Sequence, residues 1–298
     1  MQKDSNRRTF LKTSTAAAAG AALTSSVART AHAAGSDEIR FVLIGCGGRG
    51  TGATKNIMNT KGNVKLVAAA DPFVDKAASN LARLAKGKDA SKIDVPSERI
   101  FGGLDGYKKA MDVDCDLVVI ATPPGFKPQQ FEYAVNKGKH VFMEKPVASD
   151  AAGVRRVLAS VEESKKKKLM VALGLQRRHE PRYIETIDRI HDGAIGDIIT
   201  LRVYWNGGGI WYRNKEEGQS EMAFQCNNWY HFNWLSGDQI CEQHIHNLDI
   251  GCWVKGEYPV SCNGMGGRAM REGGDASKSQ IFDHTFCEYT FSCLLYTS

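Results

Sequence analysis

The sequence predicts an α/β protein, with a parallel sheet covered by helices in its first half and an α+β domain with a largely antiparallel sheet in its second half. Two observations lead to this prediction. From residue 39 to residue 144, strand-like runs of almost continuous apolar sequence alternate with helical segments, which is typical of a parallel sheet buried on both faces. After about residue 149, a long helical segment precedes separate strand-like segments and a stretch rich in glycine and aromatic residues, which is typical of an α+β domain.

The first half alternates between strands and helices, and we place this first domain at residues 37–148. Apolar runs predict strands at 39–44, 65–70, 116–121 and 140–144, and helices are predicted at 50–59, 73–86, 104–111 and 129–137. Strands joined by crossover helices lie parallel in one sheet. The sequence therefore predicts one parallel sheet with helices on both faces.

The second half has a different pattern, and we place its domain at residues 149–298. Helices are predicted at 150–167, 181–192 and 239–254, and strands at 169–175, 198–205, 259–265 and 282–291. The last strand has no predicted partner after it, and the tail at 293–298 has no turn signal or cap. We therefore expect an incomplete second domain, with a strand over 283–291 at an unfinished sheet edge and a poorly packed tail.

The first 33 residues have the three parts of an export signal. Arg7 and Arg8 precede a weakly apolar stretch at 16–27, and Ala31 and Ala33 are the small residues that a signal peptidase reads. The paired arginines indicate a twin-arginine signal peptide at 1–33, and so a periplasmic or secreted protein that uses the twin-arginine export machinery. A disordered N-terminal arm is the alternative. No other segment is apolar enough to span a membrane, so we expect no stable membrane insertion.

Charge and cysteine content narrow the function classes. The chain of 298 residues has a formal net charge of +6, and its densest basic run, at 165–168, ends a predicted helix. Cations are favourable at that end of a helix, and no basic patch is interleaved with aromatic residues, so nucleic-acid binding is not expected. The eight cysteines show no metal-ligand spacing, and most are expected to be small buried side chains. Oxidising surroundings would permit disulfides, but the sequence alone does not pair them.

The first predicted strand runs directly into Gly-x-Gly-x-x-Gly, formed by Gly45, Gly47 and Gly50. These glycines permit a tight turn, a close approach of the backbone to a pyrophosphate, and close packing of the next helix on the sheet. Asp71 ends the second strand, about 20 residues further on, where a carboxylate accepts from a ribose hydroxyl. The pattern predicts a Rossmann-type dinucleotide-binding domain, and Asp71 favours NAD over NADP because a carboxylate repels a 2′-phosphate. A glycine turn in another α/β protein is the alternative.

Two further motifs follow later strands, Ala121-Thr122-Pro123 and Glu144-Lys145-Pro146. With the glycine fingerprint and the segments at 174–179 and 190–197, they make the region from about 39 to 291 resemble the glucose–fructose oxidoreductase / inositol dehydrogenase (Gfo/Idh/MocA) family. The resemblance implies a cis bond before Pro146 and a homo-oligomer built on the second domain. It also implies a cofactor site of Gly45, Gly47, Gly48, Arg49, Gly50, Asp71, Thr122, Pro123, Glu144 and Lys145.

The resemblance implies a catalytic set of Lys145, His246 and Glu242. Lys145 is expected at the carboxyl end of a parallel strand, where open α/β sheets bind ligands, and there it can stabilise negative charge on a substrate oxygen. The family uses the histidine as general base. Glu242 replaces the family's aspartate four residues before His246, so on a continuous helix the two share a face and Glu242 could orient the imidazole. A surface lysine and a structural histidine are the alternatives.

Substrate binding is assigned to residues that could reach the same cleft. They are Arg177, His179, Trp211, Tyr212 and His244. Aromatic faces can stack on sugar rings, although core packing is the alternative for at least half of the aromatic residues. A metal site of Glu242, His244 and His246 is a further alternative, but the two histidines diverge on a helix, and we expect no metal. The loop at 124–128 lacks a histidine that many relatives have, and Lys127 is the candidate to replace it.

The sequence therefore predicts an exported NAD(P)-dependent oxidoreductase that moves a hydride between a sugar, cyclitol or glycoside hydroxyl carbon and the nicotinamide. The twin-arginine route exports folded proteins, so NAD could be loaded in the cytoplasm and stay tightly bound. Two alternatives remain open. One is a glycoside hydrolase that retains NAD and cleaves by transient oxidation and elimination, and the other is a non-catalytic sugar-binding protein.

Overall fold

A six-stranded parallel sheet forms the first half of the computed structural model, which describes residues 37–269 and 279–292. The strands are β1 Ile39–Ile44, β2 Val64–Ala70, β3 Ile100–Phe101, β4 Leu117–Ile120, β5 His140–Met143 and β6 Val171–Leu173, in the spatial order β3-β2-β1-β4-β5-β6. The helices of this half are α1 Gly48–Met58, α2 Val74–Leu84, α3 Gly106–Asp112, α4 Lys127–Asn136 and α5 Ala151–Lys166. The predicted α/β fold with a Rossmann-type parallel sheet is thus confirmed. The predicted signal peptide at 1–33 and the tail at 293–298 lie outside the described residues.

Strand β1 shows how the sheet separates two cores. Phe41 and Leu43 pack with residues of α1 and α2, whereas Val42 and Ile44 pack with residues of α3, α4 and α5. All four side chains are buried, because successive side chains of a strand point to opposite faces and helices cover both. This is why the strands are almost continuously apolar in the sequence.

The register brings the carboxyl ends of four strands to one edge of the sheet. Ile44 lies opposite Ala70 and Ile120, and Ile120 lies opposite Met143. The residues that follow these strands are Gly45, Asp71, Ala121 and Glu144. Because they leave the sheet at the same level, the fold places the predicted motifs side by side.

The parallel sheet extends beyond residue 148, where we placed the end of the first domain. Strand β6 pairs in parallel with β5, and Val157 of α5 packs in the core on one face of the sheet. Helix α5 is therefore a crossover helix of this sheet and does not open a separate layer. The strand predicted at 169–175 is shorter and belongs to the first sheet, and the domain bounds stay a prediction.

The second half is mostly helical, with a small antiparallel sheet. It comprises α6 Pro181–His191, α7 Glu221–Asn227, α8 Asn233–Ser236, α9 Asp238–Glu242, α10 Ile245–Lys255, β7 Ser261–Gly267 and β8 His284–Thr290. Strands β7 and β8 pair antiparallel over their whole length, so the last predicted strand is present. In the described part of the chain this sheet has two strands, and Met265 and Phe286 on it are largely exposed.

Two predicted elements of the second half are wrong. The strand predicted at 198–205 is absent from the described residues, and its Ile199, Leu201 and Tyr204 are exposed, because no neighbouring strand pairs with it there. The helix predicted at 239–254 is divided into α9 and α10. The amides of Gln243 and His244 both bond to the carbonyl oxygen of Gln239, at 2.9 and 3.1 Å, so the regular helical ladder is interrupted between the two helices.

Candidate cofactor and substrate site

The three fingerprint glycines have different structural roles. A Cβ on Gly50 would lie 1.9 Å from the carbonyl oxygen of Gly45, and one on Gly45, where φ is +92°, would lie 2.8 Å from the carbonyl carbon of Ala121. A Cβ on Gly47 or Gly48 would have no atom within 4 Å. Gly45 and Gly50 are therefore required by the turn itself, whereas Gly47 and Gly48 border open space.

That open space lies in front of helix α1. Gly47 is the N-cap of the helix, and no side chain caps it, so the first-turn amides have no intrahelical acceptor. Such a helix terminus attracts anions, through both its free N–H groups and its dipole. The turn therefore fits the pyrophosphate of a dinucleotide, as the fingerprint predicts.

Asp71 fixes the glycine turn and also borders the cleft beside it. Its Oδ2 accepts from the amide of Cys46 at 2.8 Å, and its Oδ1 accepts from the amide of Phe73 at 2.9 Å. A carboxylate has about four acceptor positions, so capacity remains for ribose hydroxyls. The cleft is lined by residues that include Gly45, Gly47, Asp71, Thr122, Pro123 and Trp229.

Arg49 and Glu144, both predicted cofactor residues, contact each other. An Arg49 guanidinium nitrogen lies 2.8 Å from Oε1 of Glu144, whose side chain is buried, while Arg49 is more than half exposed. A Cβ on Gly174 would lie 2.5 Å from Glu144 Oε2, so glycine at that position leaves room for the carboxylate. The pair joins the start of α1 to the end of β5 across the edge where the cofactor is expected.

Lys145 lies just beyond β5 and pairs with Glu242 at the end of α9. Its Nζ is 2.9 Å from Glu242 Oε1 and also donates to the backbone carbonyl oxygen of Glu242. Both side chains are largely buried. Burial raises the pKa of Glu242, and the charge of Lys145 opposes that rise. Oε2 of Glu242 is buried and has no hydrogen-bond partner among the described residues, which makes it an acceptor for a ligand group.

Buried Lys127 holds the backbone that carries Lys145. Its Nζ donates to the carbonyl oxygens of Glu144 at 2.8 Å, Lys145 at 3.1 Å and Pro146 at 2.8 Å. Burial lowers the pKa of Lys127 to about 7, although the charge of Glu242 acts in the opposite direction. The Lys145–Pro146 bond is cis, as the resemblance implied. Lys127 thus lies behind the site, in contact with its backbone.

His246 lies in the first turn of α10 with its imidazole stacked on Trp205, at a ring-centroid distance of 6.3 Å and an interplanar angle of 25°. Burial lowers the pKa of His246 to about 4, and the positive charges of Lys145 and Arg177 add to this effect. His246 is therefore neutral at pH 7 and can accept a proton.

The expected hydrogen bond between Glu242 and His246 is absent from the described residues. Glu242 ends α9 and His246 belongs to α10, so the break at Gln243 and His244 removes the shared helix face on which that expectation depended. Glu242 instead acts on Lys145. Among the charged groups of the described residues, Lys145 acts on the pKa of His246 and Glu242 does not.

The predicted substrate residues separate into two groups. Arg177 donates to Asn247 Oδ1, one residue beyond His246, and half-buried His244 is the N-cap of α10. Trp211 instead contacts Trp229 and His231, and Tyr212 packs in a core cluster with residues that include Phe224. His179 is exposed at the end of a short 3-10 turn. In the described part of the chain, no three His, Cys, Asp or Glu side chains are arranged to hold a metal ion.

The structure places at the site two residues that the predicted cofactor and catalytic sets do not include. Trp229 lines the cleft that also contains Asp71, and Lys127 binds three carbonyl oxygens beside Lys145. The sequence offers only weak signals for either residue. Trp229 lies in an aromatic-rich stretch that equally predicts core packing, and a lysine near a helix start is normally solvated.

Comparison with known proteins identifies the fold just described. Residues 39–173 match the family profile described as "Oxidoreductase family, NAD-binding Rossmann fold" (GFO_IDH_MocA), a span that contains the whole parallel sheet, Asp71 and Lys145. The nucleotide-binding part of this chain belongs to the Gfo/Idh/MocA family. A second profile, for the twin-arginine translocation pathway signal sequence, matches residues 4–24. Within the described ranges, none of the helices combines the length and apolar character needed to cross a membrane.

Curated relatives of this chain include two inositol dehydrogenases. It is 29% identical over 223 residues to inositol 2-dehydrogenase of Rhizobium meliloti (strain 1021), and the aligned region covers 75% of this chain and 57% of that protein. It is 26% identical over 229 residues to scyllo-inositol 2-dehydrogenase (NAD(+)) of Bacillus subtilis (strain 168), with 77% and 57% covered. The chain thus spans little more than half the length of these relatives.

Solved structures of two inositol dehydrogenases have a similar fold. Myo-inositol 2-dehydrogenase from Lactobacillus plantarum matches with a TM-score of 0.64 at 23% identity, over 86% of this chain and 67% of that one. Scyllo-inositol dehydrogenase from Lactobacillus casei with bound cofactor NAD(H) and scyllo-inositol matches with a TM-score of 0.59 at 21% identity, over 86% and 66%. At this identity the likeness extends to the fold alone.

Proposed function

We propose that this protein oxidises a hydroxyl group of a cyclitol or a related sugar with NAD as acceptor. The observation that carries the proposal is the buried pair of Lys145 and Glu242 at the carboxyl end of β5, with Glu242 Oε2 left without a partner among the described residues. This pair lies on the same sheet edge as the glycine turn and Asp71. The two curated relatives described above are named as inositol dehydrogenases.

The chain's own residues fit NAD at this edge. The open space at Gly47 and the uncapped start of α1 suit the pyrophosphate, and the carboxylate of Asp71 suits the ribose hydroxyls. The negative charge of Asp71 disfavours a 2′-phosphate, so NADP is the weaker ligand. When bound, the nicotinamide supplies the acceptor for the hydride.

Lys145 is proposed to polarise the substrate hydroxyl. Its ammonium group can donate to the hydroxyl oxygen and stabilise the negative charge that develops there, which is most effective at a largely buried site. Glu242 holds that ammonium group in place through Oε1 and leaves Oε2 free to accept a neighbouring substrate hydroxyl. A substrate with adjacent hydroxyl groups would use both positions.

His246 is proposed as the proton acceptor. Its pKa of about 4 keeps the imidazole neutral at physiological pH, so a ring nitrogen is available when the hydroxyl proton leaves. The positive charge of Lys145 lowers that pKa, which also favours later release of the proton. Arg177, His179 and His244 are proposed to contact the substrate beyond this pair.

We propose that the reaction takes place outside the cytoplasm, in the periplasm or as a secreted activity, and the twin-arginine signal profile that matches residues 4–24 supports this. We also propose that the protein self-associates through the exposed face of β7 and β8, where Met265 and Phe286 are uncovered. Sedimentation at several concentrations tests this, since a monomer at every concentration would contradict it.

The activity is tested by mixing the purified protein with NAD and a panel of myo-inositol, scyllo-inositol and hexoses, and by recording absorbance at 340 nm. Lys145→Met should reduce turnover by at least about 100-fold while NAD affinity stays within about threefold, because Lys145 does not hold the phosphates. Cleavage of nitrophenyl glycosides without added NAD would replace this proposal with the NAD-retaining glycosidase. Sugar binding with neither reaction would indicate the binding protein.

A further inference from the structure

We propose that Trp229 is a binding residue for the adenosine part of the cofactor, contributed by the second half of the chain. Trp229 and Cys226 line the same cleft as Asp71, Phe73 and Leu104. The inference rests on the proposed NAD function and concerns a residue outside the region that matches the family profile.

Trp229 and Cys226 border the cleft together with Asp71, and burial, with the charge of Asp71 as a second cause, raises the pKa of the Cys226 thiol. The carboxylate of Asp71 suits the ribose that carries the adenine, so the adenine must lie against the side chains around Asp71. In this part of the cleft, half-buried Phe73 and partly exposed Leu104 come from the loops after β2 and β3. Trp229 comes from a different part of the chain and adds an indole to these apolar surfaces. Aromatic rings stack on any nucleobase because each base has a π-face.

Hydrogen bonds of the preceding residue and aromatic neighbours hold Trp229 in place. Buried Asn228 immediately precedes it, accepts from the amide of Arg213 at 2.8 Å and donates to the carbonyl oxygen of Arg213 at 3.0 Å. Trp211 lies beside the indole at a centroid distance of 6.4 Å, and Tyr230 lies at 5.4 Å. The backbone oxygen of Trp211 is also 2.6 Å from Nε2 of His231. The indole is therefore positioned before a ligand arrives, which reduces the entropy cost of binding.

This arrangement makes adenosine recognition depend on both halves of the chain. The pyrophosphate and ribose contacts belong to the parallel-sheet half, whereas Trp229 belongs to the segment between α7 and α8. Loss of Trp229 should therefore weaken any ligand that contains adenosine and should leave ligands without adenosine unaffected.

The test is calorimetric titration of the full chain with NAD, ADP-ribose and nicotinamide mononucleotide. Trp229→Ala should weaken NAD and ADP-ribose by the same factor, about 10- to 100-fold, and should not change the affinity for nicotinamide mononucleotide. Trp205→Ala is the matched control, because it removes a half-exposed tryptophan stacked on His246. It should leave the affinity for ADP-ribose unchanged.

The Trp229→Phe variant guards against misfolding of the alanine variant. It should keep most of the affinity for ADP-ribose but lose much of the quenching of tryptophan fluorescence that ADP-ribose causes in the wild type. Unchanged affinity in Trp229→Ala, or unchanged quenching in Trp229→Phe, would overturn the role of Trp229 while leaving the proposed function standing. A wild-type protein that binds neither NAD nor ADP-ribose would overturn both.

Discussion

At the scale of the single residue, Asp71 joins structure and specificity in one carboxylate. Its two oxygens accept from the amides of Cys46 and Phe73, so the group that would contact the ribose also shapes the glycine turn. In the proposed cofactor site, this charge would lie beside the ribose hydroxyl that carries the extra phosphate in NADP. Specificity at this position depends on charge, and the turn depends on hydrogen-bond acceptance.

Removing that charge should relax the cofactor preference. In Asp71→Asn the side-chain amide oxygen can still accept from Cys46, although the bond from Phe73 is lost. The glycine turn should therefore persist while the repulsion of a 2′-phosphate is removed. We expect the ratio of NADP to NAD affinity to rise at least about tenfold, equivalent to about 1.4 kcal/mol, in calorimetric titrations. Asp71→Ser should change the ratio in the same direction. A wild-type protein that already prefers NADP would show that Asp71 has been assigned the wrong role.

His246 should titrate far below the normal range of histidine. Burial and the charges of Lys145 and Arg177 lower its pKa to about 4, so the folded protein binds fewer protons at this site than the unfolded chain between pH 4 and 6.5. The contribution of His246 to stability therefore falls as pH drops through that interval. NMR titration of the imidazole signals, assigned with His246→Gln, should give a midpoint near 4. A midpoint near 6.5 would contradict the described surroundings.

At the scale of the element, the start of α4 supports the turn after β5. Lys127 binds three consecutive carbonyl oxygens of that turn, and its pKa is lowered to about 7 because it is buried. Between pH 7 and 10.5 the unfolded chain binds more protons at this lysine than the folded protein does. Stability from this residue therefore rises with pH across that interval, by up to about 1.4 kcal/mol per pH unit.

Lys127→Met should remove this pH dependence. Urea unfolding at several pH values measures the free energy of unfolding of the wild type and of Lys127→Met. From pH 7 to 10.5, the value for the wild type should rise relative to the value for the variant. Lys86→Met changes an exposed lysine and should run parallel to the wild type. Parallel curves for Lys127→Met as well would mean that Lys127 is not buried as described.

The elements that sequence predicted well are those whose burial is encoded locally. Strands β1, β2, β4 and β5 are found within two residues of their expected bounds, because a strand covered on both faces must be apolar throughout. The segment at 198–205 also contains apolar residues, but a strand needs a partner, and the described residues provide none. No glycine or proline lies at the break between α9 and α10, so the sequence gives no signal that the helix is interrupted there.

The candidate site was predictable to a similar extent. The glycine turn, Asp71 and Lys145 follow from motifs whose chemistry is local. The partner of Glu242 was mispredicted, because helical spacing favoured His246 while tertiary contact gives Lys145. The bonds from Lys127 to the backbone around Lys145 and the position of Trp229 in the cleft depend on contacts between distant segments, which no local pattern specifies.

At the scale of the whole molecule, one sheet edge gathers residues from across the chain. The glycine turn follows β1, Lys145 follows β5, and Glu242 and His246 come from the second half. The chain spans 57% of the length of the two curated relatives described above. The activity of the whole protein is therefore a proposal. What the described residues support directly is a dinucleotide site that is open in front of α1.

NAD affinity in Gly47→Val, measured by calorimetry beside the free energy of unfolding, tests whether the space in front of α1 holds the pyrophosphate. Gly47 has φ −70° and ψ −173°, and a Cβ there meets no atom within 4 Å, so valine should change stability by no more than about 0.5 kcal/mol. The same side chain would occupy the pyrophosphate space, and NAD affinity should fall at least about tenfold. Gly208→Val, another glycine bordering open space, should bind NAD like the wild type. Unchanged NAD affinity in Gly47→Val, with the fold intact, would show that the pyrophosphate does not lie at Gly47.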